Sequence, residues 1–247
     1  MKTISLIIFA LCSTAFACGD PNKQAKSEPN RVDTVLAHLQ KTSESIKTYQ
    51  SKIVFLNKQT FPESETLRTG MFYFKGDGSS KIRVSFNTVK YDDQPIEQTK
   101  DEYIFDGIDL THVEYKLKTV TIRRLSEPNH PLDAFELTSR YWPIIGFAKV
   151  DELKNDFDIS LAEQTKNTVQ LRLKPKSASR YAEDYLNIDF YVDIEKWLPV
   201  RMVAISPDEL IYDFKLEKAV LNEKFADNVF NIEVPANFDK NIIPLEK

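Results

Sequence analysis

Histidine is the side chain best suited to acid–base or metal chemistry near neutral pH, and the chain has three: His38, His112 and His130. His38 falls in a helical pattern, His112 in a strand pattern and His130 in a loop flanked by Pro128 and Pro131. No two stand at a metal-ligand spacing, and no H-E-x-x-H, G-x-S-x-G or S-x-x-K motif occurs. The acid pairs Asp92-Asp93 and Glu183-Asp184 read as solvated loop carboxylates, whereas a glycosidase needs two carboxylates facing each other across a cleft. Gly76-Asp77-Gly78 lacks the Lys-Ser/Thr ending of a phosphate loop and reads as a turn. The expectation is no catalytic residue, no metal, no cofactor and no enzyme activity. Arg123-Arg124, at the end of a strand pattern, read in two ways. They are a solvated strand end, or they form a cavity rim where a guanidinium holds an anionic or carbonyl head group.

Cysteine offers a different chemistry. The chain opens with Lys2, an apolar run from Ile4 to Leu11, and Ala15-Phe16-Ala17, the pattern of an export signal cleaved after residue 17. The run is shorter than the roughly 20 residues a spanning helix needs. Cleavage there discards Cys12 and makes Cys18 the first residue, so no disulfide within the chain is expected. The stretch Ala15-Phe16-Ala17-Cys18 resembles the lipobox of bacterial lipoproteins, which implies acylation of Cys18. Plain secretion is the alternative. Residues 18–30 hold no large apolar side chain and read as a flexible tether, leaving 31–247 as the domain. The expected location is the cell envelope, either periplasmic or membrane-anchored through lipidated Cys18.

A net charge of −4 and a pI near 5.6 argue against nucleic acid as a partner. Val32, Val35, Leu36, Leu39 and Ile46 mark one amphipathic helix. Period-two alternation then predicts strands over Gln50–Leu56, Arg68–Lys75, Lys81–Phe86 and a meander within Asp101–Leu125, turned by Asp106-Gly107. Short helices are expected over Leu132–Leu137 and Ile144–Leu153, with Tyr141 to Phe147 as packing or as a lid. A second set of strands follows at Phe157–Leu161, Val169–Leu173, Ile188–Val192, Leu198–Ile205 and Leu210–Leu216. The fold class expected is mainly β (α+β): a single antiparallel, half-open (unclosed) β-barrel with helices covering its concave face. Clean alternation nominates Tyr103, Phe105, Val113, Ile122, Val169, Leu171, Ile188, Phe190, Val192, Tyr212 and Phe214 as the apolar lining of that face.

This order of parts resembles the bacterial outer-membrane lipoprotein carrier family, the LolA/LolB-like proteins. The likeness rests on Tyr103 to Leu110 running through Thr119-Val120-Thr121, and on Ile188 to Asp193 leading to Trp197-Leu198-Pro199-Val200-Arg201. The Tyr212-Asp213-Phe214 strand and the Val229 to Pro235 ending extend it. It covers most of the chain from Arg31 to Pro235. The resemblance implies a monomer that shelters acyl chains of lipoproteins or lipids in an apolar cavity, as carrier or acceptor, with an envelope membrane protein as a possible partner. The alternatives are an envelope-stress sensor of the same fold that binds misplaced lipoprotein or peptide, and a structural surface lipoprotein. The soluble carriers place a gating Arg after the second strand, where this chain has Gly76.

Overall fold

A computed structural model describes residues 28–76, 80–132, 150–226 and 228–245. The signal, Cys18, most of the tether and the segment containing Trp142-Pro143 lie outside the described residues. The first helix, α1 (Glu28–Ser45), begins three residues before the expected start of the domain at Arg31. It buries Val32, Val35 and Leu36 and half-buries Leu39, the stripe that the 3.6-residue period marks out. Ile46 is also buried but lies one residue past the helix end. A short second helix, α2 (Val150–Asp156), packs beside α1, where the Lys154 ammonium meets Asp33 at 2.7 Å.

Among the described residues, twelve strands form one sheet. The first group is β1 (Thr48–Gln59), β2 (Ser64–Lys75), β3 (Lys81–Tyr91), β4 (Glu97–Phe105), β5 (Asp109–Glu114) and β6 (Thr119–Arg124). The second is β7 (Phe157–Gln164), β8 (Thr168–Pro175), β9 (Asn187–Asp193), β10 (Leu198–Ile205), β11 (Leu210–Leu221) and β12 (Asp239–Ile243). Their spatial order is β12-β6-β5-β4-β3-β2-β1-β11-β10-β9-β8-β7, so two antiparallel meanders join where β1 pairs with β11. The outer strands are β12, which runs parallel to β6, and β7; they do not pair with each other, and the barrel stays open. The expected architecture is the one found. Several strands run beyond the alternating apolar core into polar ends such as Asn57-Lys58-Gln59. These are held by backbone pairing to Thr66, Glu65 and Ser64. The parallel strand β12 was not expected, because four of its five residues are exposed and carry no apolar periodicity.

Register assigns the side chains to faces, and it corrects one part of the sequence reading. The Asp106-Gly107 turn is present, with Gly107 at φ 101° and the Asp106 carboxylate accepting from the Ile108 and Asp109 amides at 3.0 and 2.9 Å. This turn sets Phe105 opposite Leu110 and Tyr103 opposite His112. Tyr103 and Phe105 therefore share the concave face with Leu110 and His112, while Val113 and Ile122 lie on the convex face beside Thr111 and Val120. A one-residue change in register moves every side chain of a strand to the other face. Val113 and Val120 are nonetheless buried, as is Ile104 of the same face. Here the chain after β11 crosses the convex side: Phe225 meets Tyr73 edge to face at 5.8 Å, and the Arg83 guanidinium donates to the Val229 carbonyl. Arg83 also grips the buried Glu102 carboxylate through two bonds of 2.9 and 3.0 Å, and the Ser85 hydroxyl donates to it at 3.0 Å.

The main core lies between the concave face and the helices. It includes Tyr49, Ile53, Phe72, Val84, Phe105, Leu171, Ile188, Phe190 and Val192. Phe105→Ala and Phe190→Ala should each cost about 3–5 kcal/mol in urea unfolding, since both rings are almost wholly enclosed. A near-neutral value for either would place that ring outside the core.

Candidate ligand-binding site

Among the described residues, helix cover of the concave face stops short of the end where β1 finishes and β2 begins. There a cavity of about 480 Å³ opens, within the usual range for small-molecule sites. Its wall is aromatic: Phe55 from β1, Phe86 from β3, Tyr103 from β4, Tyr212 and Phe214 from β11, and Tyr185 from the turn before β9. Phe55 stacks on Phe214 at 4.3 Å across the β1–β11 seam, and Phe86 meets Tyr103 edge to face at 6.3 Å. Leu210 and Pro207 complete the apolar part, while Glu183, Asp184, Ser206 and Asp208 edge the opening.

Of the residues nominated from alternation, Tyr103, Tyr212 and Phe214 line this cavity. Phe105, Val169, Leu171, Ile188, Phe190 and Val192 share its face but are packed into the core, each no more than 4% exposed. Val113 and Ile122 are on the other face. The two rim arginines are not at the opening. Arg124 holds Asp109 through bonds of 3.0 and 3.2 Å, and Arg123 sits opposite Leu110 near the outer edge of the sheet.

The guanidinium at the cavity belongs to Arg68, which the sequence reading did not nominate. It lies opposite Phe55 on the concave face, pairs with Asp101 at 3.3 Å and stands over the Phe86 ring at 5.9 Å. Asp101 in turn is bonded to His112 Nε2 at 2.6 Å, and the imidazole stacks on Tyr103 at 4.1 Å. Arg68 also borders a second cavity of about 450 Å³, lined by Tyr91, Lys100, Asp101, Glu114 and Tyr115 among others. The available signal was that Arg68 falls on the same alternate positions as Phe72 and Phe74, a charge at a core-facing place. A Cβ added at Gly76 would stand 2.9 Å from the far end of the Phe74 ring, which would have to shift to admit a side chain there.

Burial pushes the Tyr103 phenol up to about 12, aided by the Asp101 charge and opposed by Arg68. Burial, with Asp184 next in weight, does the same to Tyr185. A phenol whose folded pKa exceeds its unfolded value near 10 contributes no pH-dependent loss below pH 10. Stability should then fall as pH rises from 10 to about 12, because the unfolded chain gives up its phenolic protons first. Near-ultraviolet titration of the folded protein checks this; phenolate absorbance rising at pH 10 from both residues in a still folded chain would contradict the burial.

No family model and no curated protein matches this sequence. Solved structures do. A crystal structure of an uncharacterized conserved protein from Thermus thermophilus is similar at 10% identity and a TM-score of 0.51, over 86% of this chain and 99% of that one. MucB is similar at 12% identity and 0.48, over 85% of this chain, which spans 65% of MucB. A LolA superfamily protein from Nitrosomonas europaea is similar at 12% identity and 0.34, over 81% of this chain and 97% of that one. At these identities the likeness is one of fold alone, and that fold is a single unclosed, mainly antiparallel half-barrel.

Proposed function

We propose that this protein binds the acyl part of a lipid or lipoprotein in the concave cavity, as a carrier or acceptor in the bacterial cell envelope. The observation that supports the reading most is an aromatic-walled cavity of about 480 Å³ on the concave face, beside a close-packed core, that no helix among the described residues covers. Apolar surface held open in this way is suited to an apolar guest, each buried CH₂ contributing about 0.8 kcal/mol. Residues 1–17 direct export, and acylated Cys18 would hold the domain near a membrane through the tether. The polar end of the guest remains at the opening, among Arg68, Asp184 and Asp208.

The test is binding of a fluorescent fatty acid and its displacement by a lipopeptide. Wild type should bind one probe per chain. Leu210→Asp places a carboxylate on the cavity wall at a half-exposed position, so the fold should survive while affinity falls by several kcal/mol, because the charge must be desolvated against the guest. Val192 is a poor site for this test, being fully enclosed, so that Val192→Asp would unfold the chain. Equal probe binding by wild type and a folded Leu210→Asp variant would show that the guest does not occupy this cavity.

A further inference from the structure

The largest of the three cavities described, about 560 Å³, lies at the other end of β1 and outside the acyl cavity. Along β1 the lining residues Thr48 here and Phe55 there are seven positions apart, roughly 23 Å. Its walls are the start of β1, the end of β2 and the segment that leaves β11. Lys47, Lys75 and Lys224 line it, against one carboxylate among the described residues, that of Glu223. Lys75 also stands directly opposite Lys81 across the β2–β3 pair, a like-charge arrangement that is unfavourable by itself. None of these four lysines has a carboxylate partner among the described residues. By contrast Lys52, Lys58, Lys116, Lys154 and Lys215 each meet one. The chain is acidic as a whole, so a cavity with this balance is a local positive field in a negative protein.

The backbone that carries these lysines is fixed. The Asn222 side chain, at a residue with φ 57°, accepts from the Lys47 amide at 2.7 Å and donates to the Ser45 carbonyl at 3.1 Å. The Thr48 hydroxyl donates to the Glu223 carbonyl at 2.6 Å, and the Gly76 amide donates to the Lys47 carbonyl at 2.8 Å. Phe225 and Phe230, edge to face at 5.8 Å, supply an apolar wall beside the cations. Ammonium groups are compact point charges that suit a multiply charged tetrahedral anion. A phosphate group carries about −1.5 to −2 at neutral pH and can be shared among several of them.

We propose that this cavity is a binding site for a phosphate-bearing ligand, with Lys47, Lys75 and Lys224 around the phosphate and the Phe225–Phe230 pair against its organic part. The phosphate is either that of a soluble compound or that of a lipid head group. Two measurements on the full chain test it at low ionic strength. In thermal unfolding, pyrophosphate should raise the midpoint of wild type saturably, relative to chloride at matched ionic strength. Lys75→Gln and Lys224→Gln should each weaken the apparent affinity at least threefold and the double variant should abolish the effect, while Lys154→Gln leaves it unchanged. Without anion the double variant should unfold at the same temperature as wild type or higher, because repulsion has been removed. In the second measurement, phosphatidylcholine vesicles with and without phosphatidic acid are compared. A preference for phosphatidic acid that is lost in the double variant identifies a lipid head group, and pyrophosphate protection without that preference identifies a soluble phosphate compound. No protection and no preference in wild type, or equal responses from wild type and the folded variants, would overturn the proposal.

Discussion

The pairing of β1 with β11 is the constraint on which the remaining structure depends. Every other antiparallel neighbour in the sheet except β2 with β1 belongs to one of two local meanders, and β1 with β2 is itself a local hairpin. Among the described strand pairings, only β1 with β11 brings together residues as far apart as Ile53 and Leu216, or Phe55 and Phe214. Such a contact must offset the entropy of closing a long loop, whose cost grows slowly with length. It does so with enclosed apolar pairs and the stacked Phe55–Phe214 rings. The same seam forms the floor of the concave cavity. Destabilising it would therefore separate the meanders and dismantle the site together.

An open sheet curved around one face has more apolar surface than a single helix can cover. Helix α1 lies toward β7, where Arg31 bonds to Gln164, and α2 extends that cover through Lys154 and Asp33. Among the described residues, the aromatic wall on the β1, β3 and β4 side is the part that neither helix covers. On the convex face the problem is solved differently. Charged pairs such as Arg172–Asp189 and Arg201–Asp213, each doubly bonded at 2.7–2.9 Å, lie across the strands, and the chain after β11 covers the small apolar patch around Val113 and Val120. Bidentate arginine pairs keep a wet face ordered without making it adhesive.

Alternation made the strands and their sequence legible because most of them have one enclosed face, and β10 was read with its observed ends, Leu198 and Ile205. What alternation cannot say is which side of the sheet an apolar set faces. That is fixed by turn length, and the Asp106-Gly107 turn puts Val113 and Ile122 opposite to the side that continuity with Phe105 suggests. Polar features were hidden for a related reason. Arg68 looks like a solvated residue until the register places it beside Phe55, and the lysines at 47, 75 and 224 are unconnected in sequence until β1, β2 and the end of β11 are laid side by side. An exposed pairing strand such as β12 leaves no hydrophobic trace at all.

The aromatic composition of the concave cavity bears on how a guest would be held and released. Flexible aliphatic side chains tend to relax into a void, whereas here the rings are braced against one another: Phe55 by Phe214, Tyr103 by His112, and Phe86 by Tyr103 and Arg68. A braced wall keeps the space open when empty, so little of a guest's transfer energy is spent on reopening it. Each CH₂ that reaches the wall contributes about 0.8 kcal/mol, which makes affinity depend on chain length up to the depth of the cavity and no further. Arg68, Asp101 and His112 are bonded to one another beside the rings, so part of the polar character of the site is taken up within the protein. Retention then rests chiefly on the apolar part of the guest, and a second apolar surface that takes the same chain can draw it out.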